Sequence, residues 1–598
     1  MNRRLSSSDC FVYNEEKMMR KISDNKQLID PKIAYFTMEI GLEPFIPTYS
    51  GGLGVLSGDT VKSSADLELP MVAVTLIYHQ GYFKQVIDDS GTQINQPEDW
   101  QASKYLEKLN KIVKVNIDGT DVYISAYRRM VVGITGYQVP VIFLDTDINE
   151  NNEEFRKITR NLYGGDQWMR FAQEMVLGIG GVRMLREMNY KHLETFHMNE
   201  GHAAFLTLEL LKETKRSLYE VWDADAVWDV HAVQEKAVFT THTPVPAGHD
   251  RFSYEHVQKM MQGEIFKGED ALPLRLLKKW AGFNELNMSL LALNLSRFAN
   301  GVAKKHSQVS REMFPGYDIR WVTNGVHTRT WTCNSFKELF DKYIEDWDED
   351  PSLLRNAKAI PPEEIWDAHI RAKQELFKKI NKLESVSLDI NKLTIGFARR
   401  FATYKRATLI FQDIERLKRI GGGKLQLVFA GKAHYHDEGG KQLIRDIHNF
   451  IKILGDDIPT VFLDNYNMIL GGLITSGVDI WLNNPRRPLE ASGTSGMKSA
   501  HNGVPNFSVL DGWWIEGHRE GITGWGIGPY PDEKDFQGYD ENSDIEDLYK
   551  KLENIIIPLY YEKRSDWIDV MKNTISFNAS VFNTQRMMKD YVTYAYFT

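Results

Sequence analysis

The feature that most constrains the fold is a regular alternation of short apolar runs and helical stretches in the second half of the chain. Apolar runs lie at residues 393–397, 425–430, 460–463 and 478–482, and helical periodicity lies at 404–420, 440–454 and 468–474. Short strands that alternate with helices across glycine-bounded loops are typical of a parallel sheet with helices on both faces. This half therefore predicts a doubly wound α/β domain.

The first half carries a similar alternation with one antiparallel interruption. Strands are expected at residues 32–40, 71–78, 139–144, 195–198, 237–241 and 319–322, an antiparallel pair at 111–117 and 121–130, and helices ending at 67 and spanning 166–188, 203–211 and 288–299. Two α/β domains that face one another enclose a cleft between their sheets, and ligands bind at the carboxyl ends of such strands. We therefore expect the functional site in that cleft.

Composition shifts suggest four segments. Residues 1–30 are polar and predict a leader outside the core, and residues 31–325 predict an N-terminal Rossmann-like domain. The charged helical stretch 336–383 is broken by prolines and is interpreted as the passage into a second Rossmann-like domain, 326–575. The last residues, 576–598, predict a helical segment that packs back across the domains.

Charge and cysteine content narrow the class of protein. The net charge of −9 argues against a nucleic-acid surface. The two cysteines, Cys10 and Cys333, exclude a disulfide framework and favour a reducing compartment. Residues 1–20 lack the apolar core of a secretory signal, and no apolar run approaches membrane-spanning length. We expect a soluble, cytoplasmic protein that binds neither nucleic acid nor membrane.

One loop carries the clearest chemical signal. Residues 486–498 read RRPLEASGTSGMK and follow a predicted strand. A strand, a loop rich in glycine and serine, and a helix start form an anion cradle, because backbone N–H groups and the helix dipole point at the ligand. Lys498 could pair there with a phosphate or form an imine with an aldehyde cofactor. Taken alone, a loop of this composition is more often a structural turn.

Two further segments also suit anions. The loop Gly51-Gly52-Leu53-Gly54 lies between a strand and a helix, and residues 399–406 hold four cations at a predicted helix start. Cations there oppose the helix dipole, which is tolerated best when an anion lies between them. The Lys498 loop is not a Walker A motif, since Met497 stands where that motif needs glycine, and the Gly51 loop lacks the third glycine of a dinucleotide fingerprint. The sequence thus predicts more than one phosphate-sized anion in the cleft.

Clustered histidines raise the question of a metal. His197, Glu200 and His202 lie close in sequence but lack the helical spacing of a zinc motif, so a satisfied polar turn is the better interpretation. His434 and His436 near Asp437 are interpreted as a surface loop. No metal site is predicted.

At this point the chain resembles a known family, the α-glucan phosphorylases of glycogen, starch and maltodextrin, and in particular their short bacterial and archaeal branch. The segments that carry the resemblance are AYFTMEIGL (34–42), YSGGLGVLSGD (49–59), HMNEGHAAF (197–205), FTTHTPVPAGHDRF (239–252), VTNGVHTRTW (322–331), GFARRFATYKR (396–406), VFAGKAH (428–434), VFLDNY (461–466) and EASGTSGMK (490–498). They run in family order from about residue 34 to 525.

The resemblance implies a GT-B architecture, two facing Rossmann-like doubly wound domains with the active site in the cleft between them. It implies pyridoxal 5′-phosphate held as an imine on Lys498. The implied reaction is reversible phosphorolysis, in which inorganic phosphate releases a terminal α-1,4-linked glucose as α-glucose 1-phosphate with retained configuration. The partners would be an α-1,4-glucan or maltodextrin, inorganic phosphate and glucose 1-phosphate, and the family suggests a homodimer.

The family's functional residues transfer to matching positions of this sequence. The phosphates would be held by Arg400, Lys405 and the backbone N–H of Gly52, and the cofactor by Lys498, Thr494, Arg399 and Tyr466. The glucose would contact His242, near its 6-hydroxyl, and Asn324, Glu490, Ser492, Gly493 and Tyr404.

The sequence departs from the family pattern in places. Arg399 stands where the longer phosphorylases carry lysine, which keeps the charge but alters the geometry. Ala402-Thr403 replace a His-Glu pair, and Ser495-Gly496 replace a Gly-Asn pair. Two alternatives are a sugar-nucleotide-dependent glucan synthase of the same fold and a non-catalytic glucan-binding scaffold, neither of which needs an aldehyde cofactor on Lys498.

Overall fold

The structure is a computed structural model that describes residues 30–221, 223–268, 271–383, 387–530 and 540–597. The predicted polar leader, residues 1–30, lies outside the described residues except for Asp30. The strands of the first half are β1 Ile33–Thr37, β2 Met71–Leu76, β3 Lys84–Ile87, β4 Gln93–Gln96, β5 Glu107–Ile117, β6 Thr120–Val132, β7 Gln138–Asp145, β8 Thr195–Asn199, β9 Ala237–Thr240, β10 Arg251–Ser253, β11 Glu285–Asn287, β12 Phe298–Gly301 and β13 Ile319–Trp321.

Nine of these strands form one sheet, the core of what we call the N-terminal domain. Their order is β13-β12-β9-β8-β1-β2-β7-β6-β5. The seven strands from β13 to β7 are parallel, whereas β6 and β5 are antiparallel and extend one edge. The antiparallel pair predicted over 111–130 is therefore confirmed. Strands β3 and β4 form a separate hairpin, whereas β10 and β11 form a small antiparallel sheet of two strands that lie apart in sequence.

The second half forms a six-stranded sheet, the core of the C-terminal domain. Its strands are β14 Leu393–Ala398, β15 Leu425–Ala430, β16 Thr460–Leu463, β17 Ile480–Asn483, β18 Asn506–Val509 and β19 Gly524–Ile527. The order is β16-β15-β14-β17-β18-β19, and every pairing is parallel. The strands are buried along their length, as expected for a parallel sheet with helices on both faces. The predicted α/β class is confirmed.

Helices cover both sheets. They are α1 Gly52–Asp66, α2 Glu153–Arg156, α3 Gln167–Met175, α4 Gly181–Glu187, α5 Leu206–Glu213, α6 Val230–Gln234, α7 Tyr254–Met260, α8 Leu274–Ala281, α9 Met288–Asn294, α10 Lys304–Met313, α11 Thr328–Trp331, α12 Asn334–Tyr343, α13 Pro362–Leu383, α14 Ile414–Gly421, α15 Glu438–Leu454, α16 Met468–Gly477, α17 Ser495–Ala500, α18 Trp514–Gly517, α19 Glu541–Lys551, α20 Ile557–Glu562, α21 Arg564–Thr574 and α22 Thr584–Tyr591.

Two predicted helices are wrong. The stretch 404–420 is α-helical only from Ile414. Two short 3₁₀ turns, Thr403–Lys405 and Leu409–Phe411, precede it, and Arg406 between them adopts a left-handed backbone with φ 49°. The four cations of 399–406 therefore lie on a loop with a single 3₁₀ turn and not at the start of an α-helix, so they do not oppose a helix dipole as predicted. The stretch 288–299 ends as a helix at Asn294, since Phe298 begins strand β12 between β9 and β13.

The end of the chain packs on the N-terminal domain. Met587, Met588 and Tyr591 join the same buried cluster as Ile33 of β1. Ser63 of α1 and Thr584 of α22 share a hydrogen bond of 2.6 Å between their hydroxyls. The chain boundaries assigned to each domain stay a prediction. Within the described ranges, no helix is both long and apolar enough to cross a membrane.

The two sheets present their carboxyl ends to one another. Loops that follow β14, β16 and β17 carry residues 399–406, Tyr466 and residues 486–494. Opposite them lie the start of α1 and the loops after β9 and β13. Direct contacts join the domains here, such as Met468 N to the Tyr49 hydroxyl at 3.1 Å and Lys432 Nζ to the Phe83 carbonyl at 2.7 Å. This arrangement defines the cleft.

Candidate active site

The glycine loop before α1 is held open by a buried carboxylate. Glu39 is 3% exposed and follows β1. Its Oε2 accepts the backbone N–H of Ser50 at 2.5 Å and of Gly51 at 3.2 Å, and its Oε1 accepts the Tyr163 hydroxyl at 3.0 Å. A Cβ built on Gly52 would meet no atom within 4 Å. The space beside Gly52, at the start of a four-turn helix, is therefore free of protein atoms, and the N–H groups of a helix start suit an anion.

Lys498 is a buried amine on α17. Its residue is 6% exposed, and its Nζ lies 3.6 Å from the centroid of the Trp331 ring. Burial lowers its pKa to about 8, against the opposing charge of Asp59. The Asp59 carboxylate itself accepts the Trp331 indole N–H at 2.7 Å. A lysine with this pKa has a substantial neutral fraction near pH 7–8, as a nucleophilic amine requires.

Glu490 joins two cations of the loop after β14. Its Oε2 accepts Lys405 Nζ at 2.6 Å and Arg399 Nη2 at 2.7 Å. Burial alone would raise the pKa of Glu490, but Arg399 and Lys405 lower it to about 2. The Nε and Nη1 atoms of Arg399 are buried without a hydrogen-bond partner. Unused buried donors on a guanidinium fit a second anion.

Asp511 supports Glu490 from behind. It follows β18, and its Oδ2 accepts the backbone N–H of Glu490 at 2.8 Å while its Oδ1 accepts that of Gly512 at 2.9 Å. Burial, together with the nearby Glu490 charge, raises the pKa of Asp511 to about 7. Two carboxyl groups in one buried place cannot both ionise freely. The charge therefore resides on Glu490, beside its cations.

Arg400 and Tyr404 line the cleft side of the same loop. The Arg400 side chain is exposed, and Tyr404 is half-buried. Partial loss of water contact in the cleft would lower the pKa of Arg400, but Tyr404, with Tyr82 and Glu39 of the N-terminal domain, raises it. Lys405 Nζ lies 4.5 Å from the centroid of the Tyr404 ring. The charge of Arg400 is thus stabilised by groups of both domains.

His242 comes from the loop after β9 and is held as a neutral ring. Its Nε2 hydrogen-bonds Asn199 Oδ1 at 2.6 Å, and its backbone N–H donates to Glu200 Oε2 at 2.7 Å. Burial lowers its pKa to about 3. The Asn199 amide is itself fixed by donation to Thr37 and Ser57 hydroxyls at 3.1 and 3.0 Å. Nε2 therefore carries the ring proton and donates to Asn199, Nδ1 can accept a hydrogen bond, and the ring carries no charge at neutral pH.

Two other predicted sugar contacts present unused polar groups, and a third is a glycine with a left-handed backbone. The buried Asn324 Oδ1 and Ser492 Oγ have no hydrogen-bond partner. Gly493 has φ +88°, which a side chain would disfavour. Buried polar atoms are rarely left without partners, so these atoms are suited to ligand hydroxyls.

Tyr466 and Thr494 complete the predicted cofactor set. Burial raises the pKa of Tyr466 to about 12, with Arg399 opposing the shift. Thr494 precedes α17 by one residue and makes no side-chain cap bond to it. Lys498 lies one helical turn further. The unused donors of Arg399, the hydroxyl of Thr494 and the amine of Lys498 together fit a phosphate-bearing aldehyde.

One apolar cluster joins the two halves of the site. Val55 of α1, Trp331 and Met497 of α17 pack in it, next to Trp513 and Phe582. It places the glycine loop, the Lys498 helix and the C-terminal segment side by side. In the part of the chain that the structure describes, no group of three or more His, Cys, Asp or Glu side chains could hold a metal ion.

Several residues of the site were not predicted. Glu39, Asp59, Trp331 and Asp511 hold the loop, flank the lysine and support Glu490, as described above. The first three lie inside sequence segments that suggested the family, but no role was assigned to them. An acidic residue inside an apolar segment was the available signal, since buried carboxylates need partners.

The two facing α/β domains and the cationic cleft between them define a glycosyltransferase of the GT-B architecture. The sequence profile of the family described as carbohydrate phosphorylase matches residues 48–152 and 146–522. This chain belongs to the carbohydrate phosphorylase family.

The names of similar proteins agree with this family assignment. The chain is 39% identical to a maltodextrin phosphorylase of Thermococcus litoralis, over 95% of this chain and 71% of the relative. It is 35% identical to a glycogen phosphorylase of Aquifex aeolicus, over 97% of this chain and 88% of the relative. It is 36% identical to a glycogen phosphorylase of Mycobacterium tuberculosis, over 95% and 71%.

Proposed function

We propose that this protein is an α-1,4-glucan phosphorylase that uses pyridoxal 5′-phosphate. Inorganic phosphate cleaves the terminal α-1,4-linked glucose of glycogen, starch or maltodextrin, and α-glucose 1-phosphate is formed reversibly with retained configuration. The single observation that carries this proposal is Lys498, a buried amine whose pKa is lowered to about 8 in a cleft lined with cations. A sugar-nucleotide-dependent synthase is not favoured, because the named relatives are phosphorylases.

The cofactor is held by one amine and an anion-binding set. Lys498 forms the covalent link, while Arg399 and Thr494 bind the cofactor's phosphate and Tyr466 lines its pocket. The unused Nε and Nη1 donors of Arg399 support this assignment. When bound, the cofactor supplies a phosphate whose second pKa near 6 lets it give or take a proton at neutral pH.

The substrate phosphate is bound from both domains. Arg400 and Lys405 approach it from the C-terminal domain, and the N–H of Gly52 approaches it from the N-terminal domain. The open space around Gly52 supports this placement. Cations and a helix N-terminus that surround the phosphate stabilise its negative charge as the glycosidic bond breaks. The substrate phosphate gives its proton to the leaving 4-oxygen of the shortened glucan. Its oxygen then bonds to C1 on the same face of the sugar, so the configuration is retained.

The terminal glucose is oriented by hydrogen bonds. Asn324, Glu490, Ser492, Gly493 and Tyr404 bind its hydroxyl groups, and His242 binds near the 6-hydroxyl. The partner-free Asn324 Oδ1 and Ser492 Oγ support these contacts. Because His242 is neutral, it orients the sugar without placing a second cation beside the oxocarbenium-like centre.

The domain boundaries, the cellular compartment and the oligomeric state are also part of the proposal. We take residues 31–325 and 326–575 as the two domains and 576–598 as a segment that packs across them. We infer a cytoplasmic enzyme from the two cysteines of the chain. A homodimer is proposed from the family resemblance.

The test uses purified protein with maltodextrin, with and without inorganic phosphate, and an assay for glucose 1-phosphate. We expect release that depends on phosphate and is lost in Lys498→Ala together with cofactor absorbance. Chain elongation from a sugar nucleotide, with no response to phosphate, would favour the synthase. Binding of glucan with neither reaction would favour the scaffold.

A further inference from the structure

The β3–β4 hairpin belongs to the N-terminal half of the chain but docks on the C-terminal domain. Its register pairs Gln85 with Asn95 and Ile87 with Gln93, so these four side chains share one face. Ile87 packs against the buried core of the C-terminal domain. At the turn, a Cβ on Gly91 would lie 2.8 Å from the Cβ of His448 on α15. The hairpin therefore fits closely against the opposite domain.

Gln85 is a fully buried bridge between the domains. Its Nε2 donates to Gln93 Oε1 and to the Gly431 carbonyl, both at 2.8 Å. Its Oε1 accepts the backbone N–H of Asn465 at 2.9 Å, and its own backbone N–H donates to Asn465 Oδ1 at 3.2 Å. The side-chain amide of Gln85 thus donates two hydrogen bonds and accepts one. With its backbone N–H, Gln85 makes four hydrogen bonds, and three of them cross to the C-terminal domain.

Gln93 is the second bridge and is 5% exposed. Its Nε2 donates to Asn95 Oδ1 at 2.8 Å and to the Ala433 carbonyl at 2.9 Å. Its Oε1 accepts the backbone N–H of Ala433 at 2.9 Å as well as the Gln85 amide. Ala433 is therefore held at both its N–H and its C=O, in the manner of an added strand. An apolar replacement of either glutamine would leave buried backbone groups without partners.

The backbone that the glutamines hold also supports the phosphate-binding arginines. Residues 431–433 follow β15 directly. The Lys432 carbonyl accepts the Phe401 N–H at 2.9 Å, and the Ala430 carbonyl accepts the Arg399 N–H at 3.1 Å. A Cβ on Gly431 would lie 1.9 Å from the Arg399 carbonyl, so the two segments are in tight contact. Arg400 lies between these anchored positions.

Asn465 links the same hairpin to the cofactor pocket. It adopts a left-handed backbone, φ 49°, immediately before Tyr466. Both of its hydrogen bonds to Gln85 fix this turn. The two glutamines thus hold two segments of the C-terminal domain. One, residues 431–433, contacts the backbone around Arg400, and the other, Asn465, precedes Tyr466.

We propose that Gln85 and Gln93 form an interdomain clamp that positions Arg399, Arg400 and Tyr466 against the glycine loop. This inference rests on the proposed function for the identity of the anion. The two glutamines are positioning residues, because they touch the backbone that carries the phosphate-binding side chains and not the substrate. The clamp sets the distance between the backbone N–H of Gly52 in the N-terminal domain and the cations Arg399 and Arg400 in the C-terminal domain. Losing it should weaken phosphate binding more than glucan binding.

The test compares Gln93→Leu and Gln85→Leu with wild type in the cofactor-loaded enzyme. Ile94→Thr is the matched control, since Ile94 is 45% exposed on the opposite face of the hairpin. Isothermal titration with inorganic phosphate should give a Kd raised roughly tenfold in the leucine variants and unchanged in the control. The KM for phosphate should rise in parallel, with the KM for maltodextrin within about twofold of wild type. Hydrogen exchange at Ala433 and Asn465 should become faster.

A third variant, which disturbs the structure less, keeps the test valid if the leucine variants do not fold. Asn465→Gly still permits the left-handed backbone and loses the Oδ1 acceptor with the side chain, while the Asn465 backbone N–H can still donate to Gln85, so the Kd for phosphate should rise by a smaller factor. An unchanged Kd despite faster exchange would overturn the clamp, as would an equal rise in the KM of both substrates. If wild type binds phosphate but releases no glucose 1-phosphate, the proposed function fails, and the Kd comparison still decides the clamp.

Discussion

A single carboxylate oxygen, Oε2 of Glu490, accepts hydrogen bonds from Lys405 Nζ at 2.6 Å and from Arg399 Nη2 at 2.7 Å. The two cations belong to the loop after β14, whereas Glu490 belongs to the loop after β17. The carboxylate therefore joins two neighbouring strand ends and sets the spacing of the cations. It also fixes which donors of Arg399 stay available for a ligand.

Replacing Glu490 tests that relationship. Glu490→Gln removes the negative charge and weakens two charge-assisted hydrogen bonds, which are worth about 1.5–3 kcal/mol each. We expect kcat/KM to fall by about 10- to 100-fold, as steady-state kinetics would measure. Glu546→Gln is the control, because Glu546 pairs with Arg416 at the surface and such pairs contribute little. A normal rate in Glu490→Gln would show that the bridge has no role in catalysis.

Two glycines of one helix should respond in opposite ways to alanine. Gly52→Ala adds a methyl group that meets no protein atom and removes a glycine from a helix, so thermal unfolding should show equal or greater stability, by up to about 1 kcal/mol. The added methyl group would stand beside the N–H that we propose to bind phosphate and would crowd the anion, so the KM for phosphate should rise.

Gly58→Ala is the contrasting variant. Its Cβ would lie 1.9 Å from the Gly41 carbonyl oxygen, and the protein should be destabilised by several kcal/mol or fail to fold, since the backbone must move. A Gly52→Ala variant with an unchanged KM for phosphate would contradict the assigned position of the anion.

Capture of the cofactor should depend on pH. Burial lowers the pKa of Lys498 to about 8, so the neutral amine is about one tenth of the population at pH 7 and about half at pH 8. When cofactor-free protein is mixed with pyridoxal 5′-phosphate, the initial rate should rise between pH 6.5 and 8.5 and level off above it. The visible absorbance of the bound cofactor reports that rate. A rate that still rises steeply toward pH 10.5 would mean that the lysine keeps its ordinary pKa.

Local patterns of apolar residues predicted most strands of the two sheets. Apolar runs such as 425–430 and 460–463 coincide with observed strands because buried parallel strands need continuous apolar residues. The same reasoning failed at 298–301, where a strand is formed by pairing with β9 and β13, which lie far away in sequence. It failed again at 404–413, where Lys405 contacts Glu490 and Arg406 contacts Asp544, while the backbone of Arg406 turns left-handed. Long-range contacts overrode local helical preference at both places.

The residues of the candidate site fall into the same two groups, those predictable from local sequence and those that depend on long-range contacts. Residues in recognisable segments, such as Lys498 and Glu490, could be named from the sequence. Their supports could not, because each acts on a distant segment. Trp331 and Asp59 are 272 residues apart, and Gln85 and Asn465 are 380 apart. No periodicity relates such pairs, so their roles follow only from the folded structure.

The central claim is that phosphate takes the terminal glucose with retention, and proton and phosphorus NMR of the reaction mixture tests it most directly. Purified enzyme, maltodextrin and inorganic phosphate should yield α-glucose 1-phosphate as the first product, at the expense of the inorganic phosphate signal. The β-anomer, or free glucose formed without phosphate consumption, would contradict the claim.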